Sequence, residues 1–185
     1  FLKREDISTI AEIAKEEGVI EEKATEFIKN IIKLRNVPLK EIMTPYSVMV
    51  TANEGLSIDQ FYKKNPELNF SRIPILNDTK IEYYVLKDTI LESIINNKGK
   101  LKLTDIKRPI IISLDDTKIP KLFDKLLKER EHISLVVDEF NTTIGIVTLE
   151  DIIETMLGFE IVDETDTVDD MQLLAKKINP KLNKR

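Results

Sequence analysis

Thr148 and Asp151 stand three residues apart in the run Gly145-Ile146-Val147-Thr148-Leu149-Glu150-Asp151, where a β-branched stretch gives way to an apolar helical period. A hydroxyl and a carboxylate at this spacing fit a capping box: the threonine oxygen accepts an N–H at the helix start and the acid reaches back to the threonine backbone. The same junction suits a ligand. A strand end and a helix start offer a hydroxyl, a carboxylate and backbone N–H groups to one small volume. A carboxylate there can accept both hydroxyls of a ribose, each charge-assisted bond being worth about 1.5–3 kcal/mol.

Other chemistry is thinly represented. The chain has no cysteine, which removes disulfides, thiolate zinc sites and thiol nucleophiles together. A single histidine, His132, cannot build multi-histidine metal sites, and it reads as a structural residue at a strand start. The acids between Glu160 and Asp170 supply oxygens that hard cations favour, but their spacing matches no calcium loop and reads as a solvated segment. No metal site and no catalytic residue is assigned. The five glycines are scattered, so no phosphate-cradling loop is present. The 28 basic and 33 acidic residues leave a net charge of −5, with no strong field for nucleic acid. No apolar run approaches the roughly 20 residues needed to span a bilayer.

Elements must position Thr148 and Asp151. Residues 1–36 read as two linked amphipathic helices, with Ile7, Ile10, Ala11 and Ala14 in the first and Ala24, Phe27, Ile28, Ile31 and Leu34 in the second. From Val37 onward short apolar runs alternate with helical periods, as in an α/β (α+β) domain. This part is duplicated. Residues 39–51 match 103–114, 71–78 match 132–139, and 84–94 match 147–157, at offsets of about 61 to 64. Each copy, at about 60 residues, has too small a core to stand alone, so the halves are expected to pack through their sheets about a pseudo-twofold axis.

The duplicated unit, with a lead-in ending in proline and a strand–T-x-x-D–helix close, resembles a pair of CBS domains, the cystathionine β-synthase type of adenine-nucleotide-sensing module. Glu41-Ile42-Met43-Thr44-Pro45, Ser71-Arg72-Ile73-Pro74-Ile75, Val136-Val137-Asp138-Glu139-Phe140 and the run from Gly145 to Asp151 resemble, more closely, the CBS pair of the CorC / cyclin M (CNNM) or hemolysin-like family. Those are integral-membrane proteins of magnesium and divalent-cation transport. The resemblance divides the chain into a helical lead-in (1–36), CBS domain 1 (37–100), CBS domain 2 (101–160), and a terminal acidic segment, short helix and basic tail (161–185). It implies ATP or AMP between the halves, with magnesium as the nucleotide's companion. Thr148 and Asp151 would hold the ribose, Thr44 would edge the adenine pocket, and Phe70 would pack on the base. Ser71 and Arg72 would face the phosphates, with Ile73 and Pro74 completing the set.

The two copies differ. By this alignment Val85 stands where the second copy has Thr148, Glu82 where it has Gly145, and Asp88 opposite Asp151, so one competent site is expected beside a degenerate one. Tyr46 stands where bacterial relatives of the family often carry arginine. The resemblance further implies a homodimer and a transmembrane domain upstream of Phe1. It sets the module on the cytoplasmic side of the membrane. The alternative is a ligand-free dimerisation scaffold. A free-standing enzyme is disfavoured, because no nucleophile–base pair is evident.

Overall fold

The computed structural model describes residues 3–158; the acidic stretch, short helix and basic tail read for the C-terminal segment lie outside the described residues. Two helices come first, α1 (Arg4–Glu16) and α2 (Glu22–Leu34). Gly18, at φ +71°, turns the chain between them. The ion pairs Lys15–Glu22 and Lys29–Glu12 join the two helices. The packed residues of this hairpin are Ala11, Thr25 and Leu34, whereas Ile7, Ile10 and Ile31 of the expected stripes remain about half exposed.

The body holds two copies of one β-α-β-β-α unit. The first comprises β2 (Ala52–Asn53), α3 (Ile58–Lys64), β3 (Arg72–Asn77), β4 (Lys80–Leu86) and α4 (Lys87–Ile95). The second comprises β6 (Ile111–Leu114), α5 (Ile119–Glu129), β7 (Ile133–Val137), β8 (Thr143–Thr148) and α6 (Leu149–Leu157). Each unit carries the short strand of the other's lead-in: β1 (Thr44–Pro45) pairs antiparallel with β8, and β5 (Arg108–Pro109) pairs antiparallel with β4. The sheets therefore run β1-β8-β7-β6 and β2-β3-β4-β5. The prolines ending both lead-ins fit this role, since an edge strand tolerates a residue without an N–H. The exchange continues into the cores. Leu39 is fully buried among Ile119, Leu122, Val136, Val147 and Ile152 of the second unit, and Leu103 among Ile58, Phe61, Ile73 and Val85 of the first.

Between the sheets lies a separate apolar seam of Ile81, Tyr84, Ile110, Ile133, Leu135 and Val137. Packing through the sheets, expected from the small size of each copy, is thus what the structure shows.

One detail of the expected correspondence is corrected by one residue. Thr148 caps α6 and Leu86 occupies the same place before α4. Ser93 Oγ donates to the Thr89 carbonyl as Thr155 Oγ1 donates to that of Asp151. Val85 and Val147 are both fully buried, so a one-residue slip would turn a strand inside out. The counterparts of Gly145, Thr148 and Asp151 are therefore Tyr83, Leu86 and Thr89, not Glu82, Val85 and Asp88. The shared Leu and Asp of the two helix starts produce the false match.

Gly145 is required by the strand exchange. A Cβ there would lie 2.5 Å from the Thr44 carbonyl oxygen and 2.9 Å from the Met43 sulfur. Gly145→Ala is expected to destabilise the protein by about 1–3 kcal/mol, through overpacking against backbone that cannot yield. Urea denaturation checks this, and an unchanged midpoint would refute the close approach.

Tyr84 provides a second check. Its hydroxyl donates to Glu131 at 2.6 Å, and its pKa is pushed up to about 12, first by burial and then by the hydrogen bond and charge of Glu131. The folded state holds this proton more tightly than the unfolded chain. Its stabilisation is accordingly complete below pH 10 and lost as pH rises through 12. Absorbance at 295 nm should show one of the four tyrosines titrating late, and Tyr84→Phe should remove that phase.

Candidate functional site

The site grows from the junction of β8 and α6. Thr148 sits in extended backbone at φ −103°, and its Oγ1 accepts the Asp151 N–H at 3.2 Å. Asp151 Oδ2 accepts the Thr148 N–H at 2.6 Å and the Thr148 hydroxyl at 2.9 Å. The capping box read from the sequence is closed. The Leu149 N–H donates to the His132 carbonyl at 2.9 Å, fixing the first helical residue to the start of β7.

β1 brings Thr44 to this junction. Thr44 pairs with Ile146, two residues before Thr148, so Thr44, Ile146 and Thr148 share one face of the sheet. Ile146 packs against the seam and its neighbour Val147 lies in the opposite core, which identifies that face as the one turned to the first unit.

From the first unit comes Arg72, at the start of β3. Its Nη1 lies 3.7 Å from Glu150 Oε1 in the first turn of α6, and its side chain is 19% exposed. This ion pair crosses from one unit to the other and brings the guanidinium to the turn that holds Thr148 and Asp151. Pro74 lies two residues along β3 and is buried opposite Tyr84 of the seam, hence on the same face as Arg72. Phe70 and Ser71 precede β3 and are exposed. The Ser71 carbonyl accepts the Lys87 N–H at 2.9 Å, so its backbone anchors α4.

Ile73 belongs elsewhere. It is 1% exposed and packs in the core of the first unit with Phe61 and Val85. Strand alternation turns it away from the face that Arg72 presents, so its side chain supports the site from behind.

One contributor and one contact were not anticipated. Glu150, the partner of Arg72, lies inside the recognised Thr148–Asp151 run, but pairing across the two units has no local sequence signal. Met43 packs its thioether over Gly145, a contact foreshadowed only by the glycine. Chemically the arrangement combines hydroxyl and carboxylate acceptors, a guanidinium suited to bidentate anion contact, and apolar walls from β1 and β8. Among the described residues no group of three His, Asp or Glu side chains is placed to hold a metal ion, and no helix is long and apolar enough to cross a membrane.

A paired-unit fold with a strand–T-x-x-D–helix junction defines the CBS class of module, and comparison with known proteins agrees. The profile described as "CBS domain" matches residues 103–158. The chain is 25% identical over 177 residues to the magnesium and cobalt efflux protein CorC of Vibrio cholerae, covering 94% of this chain and 60% of that protein. Among solved structures, the CBS domain of the bacterial CNNM/CorC family Mg2+ transporter aligns at 29% identity and a TM-score of 0.81, covering 88% of this chain and all of that one. The same domain solved in complex with ATP aligns at 28% identity and a TM-score of 0.68, covering 72% of this chain and 96% of that one. The CBS domain of a putative transporter from Clostridium difficile is 30% identical with a TM-score of 0.62, covering 68% of this chain and 98% of that one. The chain belongs to the CBS-domain family, and within it is similar to the CBS domains of the CorC/CNNM group. It spans between about a quarter and three-fifths of the length of the curated relatives it matches.

The capping role of Thr148 can be tested alone. Thr148→Val keeps the volume but loses the acceptor, and should cost about 0.5–2 kcal/mol in urea unfolding, while Thr148→Ser should recover most of it. Equal stability of all three proteins would show that the cap carries no weight.

Proposed function

We propose that the chain is a regulatory module that binds an adenine nucleotide, ATP or AMP, in the cleft where the seam opens beside α6. The observation that carries this reading is the Arg72–Glu150 contact, which draws a guanidinium from one unit to the hydroxyl and carboxylate of the other. The ATP complex of a related CBS domain supports it. Thr148 and Asp151 hold the ribose; an ionised carboxylate offers about four lone-pair sites, so capping and ligand binding can share Asp151. Thr44 edges the base, Phe70 covers it, and Ser71 with Arg72 meets the phosphates, which magnesium accompanies. The remaining assignments follow the family. Residues 1–36 join the CBS pair, 37–100 with 101–160, to an upstream membrane domain for magnesium or another divalent cation. The module lies on the cytoplasmic side and forms a homodimer. Nucleotide binding regulates transport only by its difference in affinity between two shapes of the module.

The closed capping box favours a second reading, since Thr148 and Asp151 satisfy each other without a ligand. On that reading the pair is a scaffold for dimerisation.

Thermal-shift titration with ATP, ADP and AMP, each with and without magnesium, separates the two. A nucleotide at 100 times its dissociation constant should stabilise the protein by about 2.7 kcal/mol. The ligand-induced shift, not the basal Tm, should be lost in Thr148→Val and Asp151→Ala. Silence with every adenylate leaves the scaffold; equal responses in wild type and both variants remove the ligand from this junction.

A further inference from the structure

The helical hairpin that opens the chain has two unlike flanks. The ion pairs Lys15–Glu22 and Lys29–Glu12 lie on one of them, where Glu22, Glu26, Lys29 and Lys33 recur at helical spacing along α2. The opposite flank is apolar. There Ile7, Ile10 and Ala14 of α1 run beside Ala24, Ile28 and Ile31 of α2, each set at the i, i+3 or i+4 spacing of one helix face. None of these residues is buried, and Ile7, Ile10 and Ile31 are 45%, 52% and 51% exposed. Helical spacing continues the flank into charge at both ends, with Lys3 and Arg35 at the open end of the hairpin and Glu17 and Glu21 at its turn. Among the described residues none of these four forms an ion pair.

The second unit ends beside this hairpin. Gly158 closes α6 in the left-handed region at φ +77°, and a Cβ there would lie 2.5 Å from Asn30 Nδ2, in the last half of α2. The residues that follow lie outside the described ones, and their sequence falls into three parts. Acids from Glu160 to Asp170 come first, then the helical period Met171, Leu174 and Ile178, then Lys181, Lys184 and Arg185. Read from the open end, the hairpin flank is basic, apolar and acidic; the segment is acidic, apolar and basic. The two match in sign and in order. Residues 159–170 reach up to about 40 Å when extended, about twice the length of α1, which is enough to round the end of α2.

We propose that the chain's own residues 160–185 dock on this apolar flank: Met171, Leu174 and Ile178 cover Ile7, Ile10 and Ile31, the preceding acids face Lys3 and Arg35, and the basic end faces Glu17 and Glu21. The tether favours this occupant. A second copy turned end for end would meet the same charges, but a segment leaving at Asn30 is held near the flank at the millimolar effective concentration of a short linker. Docking gives α1 a second partner, with α2 on one side and the C-terminal segment on the other. The end of the second unit is thereby tied to the lead-in that opens the chain, whether or not a nucleotide is bound.

The chain has no cysteine, so a single spin label can be attached to the full chain at Gln172→Cys, beside the apolar period and off its face. Paramagnetic broadening of the Ile7 and Ile10 amides should exceed that of Ile95, at the end of α4 across the seam, at least threefold. Leu174→Asp with Ile178→Asp leaves both units untouched and should cut the broadening at Ile7 and Ile10 at least threefold. Glu17→Lys with Glu21→Lys should at least halve it. Spin-labelled chains mixed with isotope-labelled chains that carry no label should broaden nothing. Equal broadening at Ile10 and Ile95, or broadening that survives the tail substitutions, would overturn the proposal. Broadening in the mixed sample would give the flank to a second copy and overturn it as well.

Discussion

The apolar contact between the two sheets is the interaction on which the rest of this molecule depends. Each unit is a small layered structure whose own helices cover one sheet face. The other face is closed only by the second unit, through Tyr84 and Ile81 on one side and Ile133, Leu135 and Val137 on the other. Neither unit could be removed without exposing that face and, with it, the partner's borrowed strand. The exchanged lead-ins strengthen the dependence, because Leu39 and Leu103 each complete the core of the unit to which they do not belong in sequence. The two halves therefore fold as one body from two repeats.

The same construction explains why a binding site can arise at an end of the seam. Strand ends and helix starts from different units converge there, and each brings side chains that no single repeat could assemble. At one end the convergent groups are acceptors and a partly committed arginine. At the other they are a buried tyrosine, a glutamate and an arginine that satisfy one another. Duplication supplied two equivalent places, and substitution at a few positions gave them opposite characters.

Much of this was legible in the sequence. The duplication, the proline-ended lead-ins and the Thr148–Asp151 capping box are local patterns, and each appears in the fold where its pattern placed it. The features that were not legible depend on tertiary contact. Exchange of β1 and β5 follows no residue preference, since two-residue strands carry almost no periodicity. The correspondence of the helix starts slipped by one because Leu149 and Asp151 have chemically identical but structurally displaced matches in Leu86 and Asp88. Burial of the paired valines, Val85 and Val147, is what fixes the register. Ile73 lies in a motif shared with its family, yet strand alternation turns its side chain into the core. The contacts of Glu131 with Tyr84 and Arg108 went unread because Tyr84 and Arg108 are far from Glu131 in sequence and meet it only when the sheets pack.

The central claim is that the Thr148 end of the seam is a nucleotide cleft. The most direct measurement is residue-resolved NMR of the isotope-labelled protein titrated with ATP and magnesium. The account predicts saturable amide shifts at Thr44, Arg72, Thr148 and Asp151, with Tyr84, Arg108 and Glu131 unmoved. Shifts centred on Tyr84 and Glu131, or a spectrum unchanged at saturating nucleotide, would contradict it.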